Sequence, residues 1–319
     1  MSCPSIQYSI AYCKKAYIFS LPLQLQLILL LNNRFTTKAI TLVALIVAMI
    51  LFSNLLVLGI AYWSGVQIHS GADLISLLED SSNTGMIKSV VALNHLLTFT
   101  LSPLLFIGIF YRDRFLPYLS LNHFNPAYLL LFPLALFSLY PLMGYISFFI
   151  EKIEWPELLD NMDKDSMSAL AGLLTMDHPS DLVVNILLLG VLPGIGEELL
   201  FRGVIQKEII EKWQNPHTAI WITAIIFSLF HFQVTGFIPK MMIGAILGYA
   251  YYYSGSLILP MIIHALNNSF ATVSLYLSGG KLDINTIETE NIPLTGVVIS
   301  TILFSYIWYT IRRTTSPIA

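Results

Sequence analysis

The sequence predicts an all-α membrane protein, a polytopic bundle of about eight transmembrane helices. Two observations carry that prediction. Of 319 residues, 56% are hydrophobic and only 11% charged, against about 25% charged in soluble domains, and the mean hydropathy is +0.73. The apolar residues also fall into runs that approach the roughly 20 residues a helix needs to cross a bilayer. In chain order these runs are 39–62, 87–111, 127–150, 182–206, 217–235, 238–254, 257–277 and 293–311. The sixth, within "KMMIGAILGYAYYYSG", is the shortest.

Residues 1–38 precede the first span and read as a cytoplasmic or interfacial segment, with 39–319 as a single membrane domain. The apolar run Tyr17–Leu31 is too short to cross comfortably, is interrupted by Pro22, and lacks the small-residue site that marks a cleaved signal peptide. Cys3 and Cys13 are the two cysteines, both ahead of the first span, and they suggest neither a disulfide framework nor a metal cluster. Basic residues set the orientation. Arg34 and Lys38 precede the first span, Arg112 and Arg114 follow the second, and Arg312 and Arg313 follow the last. The alternate connections are acidic: 151–181 carries eight carboxylates against Lys152 and Lys164. An even number of spans with both termini cytoplasmic satisfies all of these. The long acidic connection alternates apolar and charged residues, which predicts a short amphipathic helix on the outer surface. No basic stripe with interleaved aromatics appears, so nucleic acid is excluded as a partner; the lipid bilayer is the expected surroundings.

Ionisable residues inside spans are costly and mark function. Glu197, Glu198 and Arg202 interrupt the fourth span within "GIGEELLFRG", His231 lies in the fifth, and His264, Asn267 and Asn268 in the seventh. At 1.5 Å per residue, Glu197 lies roughly 14 Å, His264 roughly 11 Å and His231 roughly 21 Å from the cytoplasmic ends of their helices. Three helices can thus deliver acid, imidazole and amide groups to one layer. Residues four apart share a helix face. Glu198 and Arg202 therefore form a self-neutralising pair, while Glu197 points about 100° away. His264 and Asn268 can face one cavity, Asn267 looks elsewhere, and Phe227 packs one turn before His231. Pro193, Gly194 and Gly196 predict an irregular or closely packed helix just before the acids. Asn94 and His95 in the second span read as interhelical hydrogen-bonding residues. Gly244 and Gly248 read as a packing pair.

A free glutamate, two histidines and an amide suit hydrolysis by water, since no serine or cysteine stands beside a histidine as a nucleophile. Glu197, His231 and His264 could instead hold zinc, but the helical HExxH spacing is absent and the three come from separate helices. "EELLFR", "FSLFH" and "HALNN" resemble, in order, the EExxxR, FxxxH and HxxxN motifs of the CPBP intramembrane proteases, the family of CAAX prenyl proteases and bacteriocin-processing proteins. The resemblance covers about 180–275. It implies an intramembrane endopeptidase acting on membrane-associated or prenylated peptides or proteins. It implies Glu197 and His231 as activators of water, His264 and Asn268 as the oxyanion site, and Glu198, Arg202 and Phe227 as supports. A metal-independent mechanism is favoured over zinc. The alternative is a non-catalytic immunity or scaffold protein of the same fold. Compact size and short loops point to a bacterial inner membrane.

Overall fold

The computed structural model describes residues 33–63, 84–279 and 292–314. Both cysteines, the run Tyr17–Leu31 and most of the acidic connection after the first span lie outside them. The described residues form helices without a strand. In order these are α1 (Arg34–Trp63), α2 (Thr84–Phe110), α3 (Phe115–Leu119), α4 (Tyr128–Ile150, interrupted at Leu139), α5 (Glu157–Leu174), α6 (Pro179–Trp213), α7 (Pro216–Leu229), α8 (Phe237–Ser254), α9 (Ile258–Leu277) and α10 (Leu294–Thr314).

Among the described residues, six helices (α1, α2, α4, α6, α9 and α10) are long and apolar enough to cross a membrane. The chain is an integral membrane protein. The fifth predicted span, 217–235, is corrected to the 14-residue α7, while the sixth, 238–254, is matched within one residue by the 18-residue α8, and the two form a hairpin. At 1.5 Å per residue α7 extends only about 21 Å, against a hydrocarbon core of about 30 Å. It stops because the chain turns at 230–236, where Phe232 has a left-handed φ of 51° and Gly236 precedes α8. The predicted start at residue 39 is also corrected: α1 begins at Arg34. Lys38 is not a loop charge but a buried one, its Nζ 2.7 Å from Glu208.

The acidic connection does form an amphipathic helix, α5. It reaches the α7–α8 turn, where the Asp163 carboxylate accepts hydrogen bonds from Val234 N (2.6 Å), Thr235 N (3.0 Å) and Thr235 Oγ1 (2.8 Å).

α6 runs through the middle of the bundle, between α2 and α9, with α7 along its second half. It starts where sequence signals say it should. Pro179 occupies the first turn, and the Asp181 carboxylate accepts from the N–H of Asp177 and His178. It ends at Gln214, with φ 52°, after which Asn215 caps α7 by accepting from Thr218 N at 3.1 Å. Inside α6, and also inside α2, the helix widens before a proline. In α2 the π-helical turn Leu96–Leu101 closes with Ser102 N–H bonded to Leu97 O, and Pro103 follows. In α6 the turn Ile186–Val191 closes with Leu192 N–H bonded to Leu187 O, and Pro193 follows. A proline has no N–H and crowds the carbonyl four residues back, so the wider turn keeps both helices continuous. A third wide turn, Phe201–Gln206, carries Arg202. Such turns concentrate at functional sites, and here all three adjoin the same cluster of polar side chains.

Candidate active site

Small residues on α6 decide which helices can approach it. A Cβ added at Gly194 would lie 2.8 Å from Ala265 Cβ, and one at Gly190 would collide with Ser269 Oγ. Gly190 and Gly194, four apart, thus pack on Ala265 and Ser269, also four apart, which holds α9 close. Gly196 faces the other way: a Cβ there would lie 2.8 Å from Thr100 Oγ1 and 2.9 Å from His95 Cε1. Two residues along a helix is a turn of about 200°. α9 and α2 therefore bracket α6 on nearly opposite sides, one turn before the carboxylates.

Glu198 and Arg202 are both fully buried, and Arg202 Nη1 donates to Glu198 Oε1 at 2.6 Å. The second Arg202 amino group donates to Gly244 O at 2.7 Å, and the guanidinium carbon sits 5.0 Å from the Phe227 ring centroid. One turn on, Gln206 Nε2 donates to Gly248 O at 3.1 Å. Gly244 and Gly248 thus do more than pack; they leave two carbonyls open to α6. A third group reaches Glu198: His264 Nδ1 lies 2.8 Å from the same Oε1. His264 is therefore oriented by the support pair, and its Nε2 points at Glu197 Oε2 from 3.9 Å. Glu197 itself meets two imidazoles, one on each oxygen. The second is His95, whose Nε2 lies 3.4 Å from Oε1.

His231 sits in the turn after α7. Its Nδ1 donates to Phe227 O at 2.8 Å, and its ring is 4.8 Å from that of Phe227, which also packs edge-on to His264 at 5.7 Å. Residue 231 makes no hydrogen bond to Glu197 among the described residues. Its level is comparable: at 1.5 Å per residue, Glu197 lies about 24 Å and the end of α7 about 21 Å from their adjoining ends. The next residue, Phe232, is a bulky side chain at positive φ, a strained backbone of the kind that gathers at functional sites.

Asn268 makes no hydrogen bond to either carboxylate among the described residues. Its Nδ2 donates to Leu189 O at 3.1 Å, and its Oδ1 accepts from Asn267, whose own Oδ1 accepts from Tyr140 at 2.8 Å. The reason is Pro193: the carbonyl four residues before it has no helical N–H to accept, and the asparagine supplies one. The expectation that Asn267 looks away agrees with this, since it is the link to Tyr140. Asn94 accepts from Thr98 within its own helix at 3.1 Å.

Among the described residues no three His, Cys, Asp or Glu side chains converge as a metal-binding group. For Glu197, His231 and His264 the reason is visible. His231 is held by Nδ1 on the Phe227 carbonyl and, unlike His264, makes no close polar contact with Glu197 among the described residues. The residues as placed do not form that ligand set.

Composition and spacing assigned His95 only an interhelical hydrogen bond. The bond exists, but its partner is the glutamate singled out as free. No local signal could have chosen that partner, because 102 residues separate the two.

Residues 179–270 match the model of the Rce1-like type II CAAX prenyl endopeptidases. Over 86 residues the chain is 33% identical to the uncharacterized protein YpbD of Bacillus subtilis (strain 168), an alignment covering 26% of this chain and 41% of that protein. The chain thus spans less than half the length of that relative. No solved structure matches the chain.

Proposed function

From a Rce1-like CAAX endopeptidase domain at residues 179–270, we propose that the protein is an intramembrane endopeptidase that hydrolyses peptide bonds of membrane-associated substrates with Glu197 as general base. The observation that carries this reading is the pairing within α6. Glu198 is neutralised by Arg202, whereas Glu197 is held between His95 and His264 and its Oε2 accepts no hydrogen bond among the described residues. A carboxylate so placed can take a proton from water. The resulting hydroxide attacks the scissile carbonyl carbon, and the carbonyl π electrons move onto oxygen. When the tetrahedral intermediate collapses, the C–N bond breaks and Glu197 returns its proton to the leaving amine.

In its doubly protonated form His264 donates from Nδ1 to Glu198 and turns Nε2–H toward the reacting centre, where it can stabilise the oxyanion. Asn268 keeps one N–H beyond the bond to Leu189 and is the second candidate donor. His231, fixed through Nδ1, presents Nε2 to the attacking water. Apolar walls formed by Phe99, Phe201, Phe227 and Phe230 would favour apolar side chains beside the scissile bond, prenylated C-terminal peptides among them. No step runs through a metal.

The test is cleavage of a peptide panel, prenylated members included, by purified protein in detergent. Cleavage by the wild type, its loss by at least about 10²-fold in Glu197→Gln, and full activity in a chelator with no zinc in the protein are the expected results. Undiminished cleavage by Glu197→Gln would remove this base from the mechanism. Tight peptide binding without cleavage would favour the immunity or scaffold alternative.

A further inference from the structure

We propose that His95, on α2 and outside the three-motif segment, is a positioning residue that orients the Glu197 carboxylate; the inference rests on the reading of Glu197 as base. Three independent observations place it there. Its Nε2 is 3.4 Å from Glu197 Oε1, the one hydrogen-bond partner its side chain has among the described residues, while its Nδ1 is buried without any. Its ring is fixed by stacking on Phe99, with centroids 4.7 Å apart. The approach is built into α6, because a Cβ at Gly196 would lie 2.9 Å from His95 Cε1. The wide turn Leu96–Leu101 begins at the next residue and so sets the direction in which α2 presents this imidazole.

The chemistry follows from the tautomer. With its proton on Nε2, His95 donates to Oε1. That fixes the rotation of the carboxylate about its last bond and directs Oε2 toward His264 and the reacting water. A general base must meet its proton within about 2.6–3.2 Å, and a carboxylate free to rotate spends little time there. A misplacement of about 1 Å can cost about 10²-fold in rate. α2 lies outside the matched segment 179–270, so the N-terminal half would contribute to the site and not merely enclose it. A packing histidine would instead be replaceable by any flat ring.

The experiment has two arms on the full-length protein in detergent micelles. In the first, ¹⁵N-histidine spectra identify the His95 signal by its loss in His95→Gln, and the same signal is followed in Glu197→Gln. A change in its Nε2 shift is expected; an unmoved signal would overturn the contact. In the second, cleavage kinetics compare His95→Phe, which keeps a ring without a donor, with His95→Gln, whose amide can reach as Nε2 does. A drop of about 10²-fold in kcat with KM held for His95→Phe, largely recovered in His95→Gln, is expected. Equal kcat in wild type and His95→Phe would overturn the positioning role. Should the wild type cleave nothing in the panel, the protease reading fails by itself, and the ¹⁵N arm still decides for or against the contact.

Discussion

The Arg202 guanidinium shows how a charge is kept in the middle of a membrane bundle. It is fully buried, paired with Glu198, bonded to Gly244 O and set over Phe227. Removing one partner of such a pair strands the other charge, at a cost of about 3–5 kcal/mol. Arg202→Met should therefore lower stability by about that amount, read from the unfolding midpoint in detergent. Glu198→Leu combined with Arg202→Met should recover part of the loss, since neither charge is then left alone. A second polar cluster sits near the Trp213 end of α6, where Lys38, Tyr111 and Tyr118 converge on Glu208. Burial, helped by the Glu208 carboxylate, raises the Tyr111 hydroxyl from 10.0 to about 12. The folded state holds that proton more tightly than the unfolded chain does. Its stabilising contribution is thus complete below about pH 10 and is lost as pH rises through about 12. Melting curves over that range should decline less steeply for Tyr111→Phe, which has no proton to lose; an identical slope would remove Tyr111 from the alkaline transition.

At the scale of helices, two contacts control the candidate site. Gly194→Ala would drive a methyl to within 2.8 Å of the Ala265 backbone nitrogen, where backbone must move. A destabilisation of about 1–3 kcal/mol is expected, together with loss of cleavage as α9 carries His264 away. Gly108→Ala is the control, because nothing lies within 4 Å of its added Cβ; it should be neutral or slightly stabilising. The second contact is the strap from α5. Asp163→Ala removes an acceptor of three hydrogen bonds from Val234 and Thr235. Amide exchange over 230–236 should accelerate and cleavage fall, because His231 belongs to that turn. These elements differ in how far the sequence announced them. Hydropathy runs locate α2, α9 and α10 to within about three residues, and the glycines beside Glu197 were legible as points of close approach. The end of α7 was not, because "FHFQ" remains apolar enough to extend a run and a strained φ at Phe232 has no compositional signature. Pro193 was visible as an irregularity, but that its freed carbonyl would hold Asn268 depends on how α9 packs.

For the whole molecule, the charge pattern and the helix count now bear on each other. The connections at 112–122, 214–215 and 255–257 lie at one end of the bundle. Ser256 Oγ donates to Asn122 O at 2.6 Å, Leu257 N to Ser120 O at 2.9 Å, and Lys207 Nζ to Ser120 Oγ at 3.0 Å. Arg112 and Arg114 share that end, while the acidic helix α5 is at the other. Counting α1, α2, α4, α6, α9 and α10 as crossings, with α7 and α8 entering and leaving on the same side, returns both ends of the described chain to the basic face. Whether α7 and α8 cross fully or turn back, they enter and leave on the same side, so the parity expected from eight spans is kept. From the positive-inside rule we expect that face to be cytoplasmic. With Cys3 and Cys13 replaced by serine, an impermeant maleimide applied to intact cells should label Asp165→Cys, on exposed α5, and leave Arg114→Cys unlabelled until the membrane is opened. The reverse pattern would invert the protein. It would also turn the α5 strap, and the His231 turn it holds, toward the cytoplasm.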